Sequence, residues 1–134
     1  FVGRAGSLLD ELLKEADIDR DDIFITNILK CRPPGNRKPR KGEIKECLGH
    51  LMDQQNIIEP EVIAPMGNVA TSVFFEIYGI ERNSIGRVHG KTYKIDTEWG
   101  NAILVPVYHP AAAVYNRNLK PELVKDMKKI SELV

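Results

Sequence analysis

Residues 23–39, IFITNILKCRPPGNRKP, join a strand-like run to an unusual end. Residues 23–30 are rich in β-branched and aromatic side chains and are apolar on both faces, as in a parallel sheet covered on each side. An amide at Asn27, a thiol at Cys31, prolines and several basic residues lie at the end of this run or just beyond it. The stretch therefore predicts a buried strand that delivers polar and cationic side chains to one edge of a sheet.

Helical patterns flank this strand. Leu8, Leu9, Leu12 and Leu13 recur at helical spacing and predict a helix that Ser7 caps. Apolar positions between residues 42 and 58 suit a second amphipathic helix, with Pro60 just beyond its end. The terminal segment 119–134 predicts a helix that opens near Pro121.

Further strands alternate with these helices. VIAPMG (62–67) predicts a short buried strand that turns at Gly67 into a helix ending at Gly79, and TYKID (92–96) and AILVPVY (102–108) predict strands around a turn. HPAAAVYNRN (109–118) is interpreted as a loop. Alternating strands and helices predict an α/β fold with three layers, α/β/α.

Three unusual stretches fall at the carboxyl ends of predicted strands. They are TNILKCRPP (26–34), PMGN (65–68) and YHPAA (108–112). In open α/β sheets, ligands bind in the crevice outside the carboxyl ends of the strands. We therefore expect these loops to converge on one site.

Composition limits the class of protein. The 134 residues suit one domain, and 19 basic residues balance 19 acidic ones, so the total charge indicates no particular partner. Six of the basic residues nevertheless fall in the twelve positions from Lys30 to Lys41, which predicts a local basic patch. No apolar run is long enough for a membrane span and no secretory signal is visible, so we expect a soluble, intracellular protein without a membrane partner.

Cys31 and Cys47 are the cysteines of the chain. Free cysteines are often small buried hydrophobic residues. The surroundings of Cys31 are polar and basic, however, which lowers a thiol pKa and favours thiolate ligation. Two thiolates supply only half of a four-cysteine metal or cluster site, so spacing alone leaves both interpretations open.

His109 follows an apolar strand and precedes Pro110. A lone histidine is more often structural than catalytic, but the strand end and the small residues after His109 favour a functional role. His50 and His89 lack this context and are interpreted as surface residues.

Other candidates are polar residues at turns. Asn27 either satisfies a backbone group or presents its amide to the edge of a pyrimidine, with Phe1 as the aromatic face. Gly67 and Asn68 open a helix whose N–H groups suit a phosphate, although many α/β turns look the same. Arg87 lies in a small basic loop, which is more often a solvated surface than a DNA contact.

Together, FVGRAG, ITNILKCRPPGNR, APMGN and HPAA, in this order and at these spacings, resemble the type 4 uracil-DNA glycosylases. These are the iron-sulfur members of the uracil-DNA glycosylase superfamily, found in bacteria and archaea. The resemblance therefore implies a prokaryotic, cytoplasmic and nucleoid-associated protein. The resemblance runs from Phe1 to the terminal helix. It implies an α/β sandwich with a central, mainly parallel four-stranded sheet, and an enzyme that removes uracil from DNA by hydrolysis of the N-glycosidic bond and so begins base excision repair.

The resemblance also implies roles for individual residues. Phe1 would stack on the flipped uracil, Asn27 would hydrogen-bond its polar edge, and His109 would stabilise the departing uracil anion. Cys31 and Cys47 would be two of four ligands of a 4Fe-4S cluster. The residues that the family pattern and the basic loops place against DNA are Arg32, Arg37, Gly67, Asn68, Arg87, Pro110, Ala111 and Asn116.

The chain departs from the family pattern at its start. An N-terminal region with two further cysteines, a first strand and an acidic motif is expected before Phe1, so the domain over residues 1–134 is interpreted as N-terminally truncated. Two function classes follow: a uracil-DNA glycosylase, monomeric and acting on uracil-containing DNA, or a catalytically inactive domain that only binds DNA. A nucleotide-metabolising or zinc-dependent enzyme is a third class, but the chain lacks a close pair of extra His or Cys ligands.

Overall fold

The computed structural model describes residues 3–26 and 41–134, except for the side chains of residues 41–48 and 50. These residues fall into two compact units, one made of residues up to Ile23 together with Glu61–Val134, and the other of residues Phe24–Pro60. The helices are α1 (Gly3–Glu15), α2 (Lys41–Ile58), α3 (Gly67–Ile77), α4 (Ile85–Val88), α5 (Pro110–Tyr115) and α6 (Lys120–Leu133). The strands are β1 (Val62–Ile63), β2 (Tyr93–Thr97) and β3 (Gly100–Leu104), and two 3-10 turns span Arg20–Asp22 and Arg117–Leu119.

Mixed helices and strands confirm the α/β class. In the described part of the chain, the sheet has the order β1-β3-β2, with β1 parallel to β3 and β2 antiparallel to β3. The hairpin β2-β3 is the one that the sequence predicts around its turn, and Gly100 adopts a φ of +120° there. No described helix has both the length and the apolar character needed to cross a membrane.

The parallel pairing continues beyond the short strand β1. The amide of Val105 donates to Ile63 O, and the amide of Val107 donates to Pro65 O. An isolated bridge then joins Met66 to Val107. The two chain segments therefore stay in register up to the residues that precede Gly67 and His109.

The core of the first unit lies under the helices and the strand β3. Helices α1, α5 and α6 contact one another. Side chains that are almost completely buried include Leu9 and Leu12 of α1, Leu104, Val105 and Val107 on the β3 segment, Phe75 of α3 and Leu123 of α6. At roughly 1.5–3 kcal/mol for each buried aliphatic or aromatic side chain, this set is a main source of stability.

Three predictions about local structure are wrong. Helix α1 begins at Gly3, so Ser7 lies inside the helix and does not cap it. The predicted loop 109–118 contains helix α5, because Pro110 occupies the first helical turn and three alanines with high helix propensity follow. Residues 23–26 of the predicted first strand form no strand, and Phe24 is 55% exposed, so the run is not covered on both faces there.

The predicted helices elsewhere are confirmed. Helix α2 matches the interval expected between residues 42 and 58, and α6 opens beside Pro121. Helix α3 ends as predicted before Gly79, which adopts a φ of +66°. Its last carbonyls are satisfied by the amides of Tyr78, Gly79 and Ile80.

Candidate functional site

Two of the three loops that were expected to converge meet at Gly67 and His109, and the third, TNILKCRPP, lies outside the described residues beyond Thr26. The amide of Gly67 donates to Val107 O at 2.8 Å, and Gly67 has a φ of +87°. A Cβ atom placed on Gly67 would lie 3.2 Å from Cβ of His109. Only glycine therefore fits here without strain, and the turn after β1 holds the backbone of His109 closely.

The imidazole of His109 has a defined orientation. His109 is the N-cap of α5, and its Nδ1 accepts a hydrogen bond from the amide of Ala111 at 3.0 Å. Burial lowers the pKa of His109 from its ordinary value of 6.5, which favours the neutral ring. Because Nδ1 accepts, the neutral ring carries its proton on Nε2 and is a hydrogen-bond donor at that atom.

Pro110 and Ala111 act locally on this arrangement. Pro110 is fully buried at the start of α5, and Ala111 supplies the amide that orients His109. Both residues were predicted as DNA contacts. The Ala111 amide orients the imidazole in this structure, and the DNA contacts of both residues stay a prediction.

Asn68 and Arg87 lie on neighbouring helices. Asn68 is in the first turn of α3, and its Oδ1 accepts the amide of Ile85 at 2.9 Å, which fastens the start of α4 to α3. Arg87 follows on α4 and is exposed. The sequence missed α4 because a single helical turn gives almost no periodic signal.

The surface assignment of His89 is wrong. Its side chain is 18% exposed, and its Nδ1 is hydrogen-bonded to Oδ2 of Asp126 at 2.7 Å. Asp126 itself is buried on α6. The His89 ring also lies against Tyr108, the residue before His109, with the ring centroids 4.5 Å apart. The polar pair therefore lies directly behind the strand end that carries His109.

The backbone at Gly90 packs against the pair of His89 and Asp126. The amide of Gly90 donates to Pro106 O at 2.8 Å, and Lys129 Nζ donates to Gly90 O at 2.7 Å. A Cβ atom on Gly90 would overlap the Asp126 carboxylate. Burial raises the pKa of Asp126 above its ordinary value of 3.8, while the hydrogen bond from His89 opposes this rise. A sequence signal existed: Asp126 shares the helical face of Leu123, Met127 and Ile130, where a carboxylate requires a partner.

The segment after α5 presents an aromatic side chain to solvent. Tyr115 is 90% exposed at the last residue of α5. Asn116 follows, and its Oδ1 accepts the amide of Asn118 at 3.2 Å, which caps the 3-10 turn Arg117–Leu119. Asn116 thus has a structural role in turning the chain toward α6.

Several predicted site residues lie outside the described residues. These are Phe1, Asn27, Cys31, Arg32 and Arg37. Cys47 lies on α2, but its side chain is outside the description. Among the side chains that the structure describes, which exclude those of residues 41–48 and 50, no group of three or more potential metal ligands occurs. Since two thiolates are half of the four ligands that a 4Fe-4S cluster takes, this chain's cysteines do not by themselves complete such a site.

A half-buried histidine donor just beyond the carboxyl end of a β-strand is the central feature of this candidate site. The model of the uracil DNA glycosylase superfamily matches residues 1–130. The chain is 42% identical over 134 residues to the type-4 uracil-DNA glycosylase of Archaeoglobus fulgidus, with 99% of this chain and 67% of that protein covered. It is 46% identical to the type-4 enzyme of Sulfurisphaera tokodaii, with 99% of this chain and 61% of that protein covered.

A bacterial relative gives a similar picture. The type-4 uracil-DNA glycosylase of Thermotoga maritima is 39% identical, with 100% of this chain and 68% of that protein covered. The chain therefore belongs to the uracil-DNA glycosylase superfamily and, within it, to the type-4 uracil-DNA glycosylases. It spans 61 to 68% of the lengths of these three relatives.

Proposed function

We propose that this chain takes part in removing uracil from DNA, with His109 as its catalytic residue. The observation that carries the proposal is the hydrogen bond from the Ala111 amide to Nδ1 of His109, which leaves the neutral ring as a donor at Nε2. The names of the type-4 relatives support the same activity.

The chemistry suits such a donor. A base inside a duplex is out of reach, so a glycosylase extrudes it into a pocket. The bond between the sugar C1′ and N1 of uracil then breaks, and its electron pair stays on uracil while water adds to C1′. Negative charge develops on the uracil oxygens. A donor fixed in advance at that position contributes about 3–4 kcal/mol to the transition state.

A neutral histidine has an advantage over a charged one here. Burial lowers the pKa of His109, so the ring is uncharged at neutral pH and needs no counter-ion while it waits for substrate. The Ala111 amide holds the tautomer that presents Nε2–H. Gly67 supports the ring from behind because no Cβ atom intervenes.

Uracil recognition and DNA contact are assigned through the family resemblance. Phe1 stacks on uracil and Asn27 pairs with its edge in this proposal. The backbone contacts come from Arg32 and Arg37 in the basic loop, from Gly67 and Asn68 at the start of α3, from Arg87, and from the segment Pro110 to Asn116. The substrate is uracil-containing DNA, the protein acts as a monomer, and it works in a prokaryotic cytoplasm.

A 4Fe-4S cluster belongs to the same proposal. Cys31 and Cys47 supply two thiolate ligands, and the remaining ligands come from beyond this pair. The cluster would hold the basic loop and α2 in a fixed relation and takes no part in breaking the glycosidic bond. Iron and acid-labile sulfide should fall in a Cys47→Ser variant of the chain carrying a family-type N-terminal segment, and unchanged iron content would exclude Cys47 as a ligand.

Uracil release tests the proposed activity. A uracil-containing oligonucleotide is incubated with the chain, alone and joined to a family-type N-terminal segment, and the abasic product is cleaved with alkali. His109→Asn is the matched variant, because asparagine is a good N-cap that can still accept the Ala111 amide. We expect a loss of about 100-fold or more in His109→Asn, in line with removal of one oxyanion donor. Equal rates in His109→Asn and the parent would refute the role of His109, and inactivity of both parent forms under reducing, iron-replete conditions would refute the activity.

A further inference from the structure

Two shallow depressions on the first unit run into one another. One is lined by side chains of the turn Arg117–Leu119 and of α6, and the other by side chains of α1, α5 and the same turn. Arg117 and Lys120 line both. We call the combined surface the basic trough, and its cationic residues are Arg4, Arg117, Lys120, Lys125 and Lys128.

The trough is positively charged although the protein as a whole is neutral. No Asp or Glu side chain lines either depression, whereas the complete sequence has 19 acidic residues for 19 basic ones. Among the described residues, Lys120 has an acidic partner, Glu11, at 2.7 Å. Arg117, Lys125 and Lys128 are exposed and form no ion pair with any described residue.

Helical spacing explains how the sequence builds this surface. Leu123, Met127 and Ile130 are buried on one face of α6. Pro121, Val124, Lys125 and Lys128 recur at intervals of three and four residues and line the trough. From Lys120 to Lys128 the helix rises by about 12 Å at 1.5 Å per residue. That rise corresponds to about three or four phosphates of one DNA strand at 3.4 Å each.

The trough also lies next to the candidate site along the chain. Helix α5 begins directly after His109 and ends at Tyr115, and Arg117 follows two residues later. A helix of this length, Pro110–Tyr115, covers about 9 Å. A DNA strand that followed α5 from His109 would therefore reach Arg117.

We infer that the basic trough binds the phosphate backbone of DNA and extends the DNA contact from His109 along α6. This inference rests on the proposed function for its choice of partner. It adds residues that the family motifs in the sequence do not single out. The simpler interpretation is a solvated charged face, which would make no specific contribution to DNA binding.

A pair of charge-matched variants distinguishes DNA binding by the trough from a solvated charged face. The trough variant is Arg117→Gln/Lys125→Gln/Lys128→Gln. The control variant, Lys14→Gln/Arg82→Gln/Lys94→Gln, removes one Arg and two Lys that are equally exposed but do not line the trough. Binding of a labelled duplex without uracil is measured between roughly 50 and 200 mM salt, the range over which phosphate contacts change affinity strongly.

The slope of log K against log salt is negative, and each phosphate contact adds about 0.9 to its magnitude. The trough variant lacks three charges, so the magnitude of its slope should be smaller by about 2 to 3. The control should keep the parent slope, and Arg117→Lys/Lys125→Arg/Lys128→Arg should keep it as well because its charges remain. Thermal unfolding of all variants checks that the exposed substitutions leave the fold intact. An equal change in trough and control variants, or no change in either, or no binding by the parent, would overturn the inference.

The outcome does not depend on catalysis. On DNA without uracil, the difference in slope between the trough and control variants reports on the trough, whereas uracil release reports on His109. A trough-dependent slope without any uracil release would refute the proposed activity and leave the trough standing. Uracil release together with a salt slope that is the same in the parent and in the trough variant would refute the trough and leave the proposed activity standing.

Discussion

Gly67 and His109 lie against each other at the end of the parallel strand pair, where a Cβ atom on Gly67 would come within 3.2 Å of Cβ of His109. Gly67 also has a φ of +87°, so the position excludes side chains for two separate reasons. The backbone of Gly67 lies against Cβ of His109 and so limits where the His109 side chain can lie. The position of the proposed donor therefore depends on a residue that has no side chain.

Gly67→Ala should lower uracil release more than its cost in stability explains. The left-handed backbone alone costs an alanine roughly 1–2 kcal/mol. Gly79→Ala is the matched control, because Gly79 has a φ of +66° and no neighbour within 4 Å of a Cβ atom. Both variants should lose free energy of unfolding in urea, Gly67→Ala somewhat more because of its close contact with His109. Only Gly67→Ala should lose rate by about tenfold or more, as misplaced catalytic groups do. Equal rates in the two variants would contradict a supporting role for Gly67.

His109 should make the stability of the protein depend on pH below neutrality. Burial lowers its folded pKa from 6.5, so the unfolded chain takes up a proton first as the pH falls. The stability that the neutral ring gives is present above pH 6.5 and is lost as the pH falls from there to the folded pKa, by up to about 1.4 kcal/mol per pH unit.

His109→Asn lacks this titration and keeps an N-cap acceptor. The free energy of unfolding of the parent minus that of His109→Asn should therefore decrease as the pH falls below 6.5. Urea unfolding of both proteins at a series of pH values measures the difference, and all other titrating groups cancel. If the difference in free energy of unfolding stayed constant with pH, burial would not lower the pKa of His109.

The sequence predicted the parts of this site that depend on local rules. Gly67 after a short strand and His109 after the last predicted strand follow from turn chemistry and from the rule that loops converge at carboxyl strand ends. The helix after His109 was missed, since a helix of six residues gives almost no periodic signal in the sequence. Local rules therefore located the site but not the shape of the segment behind it.

Tertiary contacts could not be predicted in the same way. His89 and Asp126 are far apart in the sequence, and nothing in the loop around His89 indicates a buried partner on the last helix. Likewise, the basic trough appears only when α6 and the turn before it are placed beside α1 and α5. Both features need the packing of elements from opposite ends of the chain.

The pair of His89 and Asp126 should be energetically coupled. His89→Ala removes the hydrogen-bond partner of a buried carboxylate and should cost about 1–3 kcal/mol at neutral pH. The same substitution in an Asp126→Asn background should cost less, because a neutral amide is easier to bury than a carboxylate. Urea unfolding of the parent, the two single variants and the double variant gives the coupling free energy. The contact of His89 with Tyr108 cancels in this difference, because His89→Ala removes it in both backgrounds. Strictly additive costs would show that the pair contributes only packing.

Tyr115 should contribute to the rate of uracil release from duplex DNA and not to the stability of the fold. It is 90% exposed, so Tyr115→Ala should change the free energy of unfolding by less than about 0.5 kcal/mol. In the proposed function the segment that ends near Asn116 enters the DNA, and an exposed aromatic ring there can stack on a base, which contributes about 1–3 kcal/mol. Tyr115→Ala should then slow uracil release from duplex DNA by about tenfold and affect a single-stranded substrate less, because no stack has to be filled in a single strand. Tyr115→Phe keeps the ring and should retain the parent rate, so a loss of the same size in Tyr115→Phe would assign the effect to the hydroxyl group and contradict stacking.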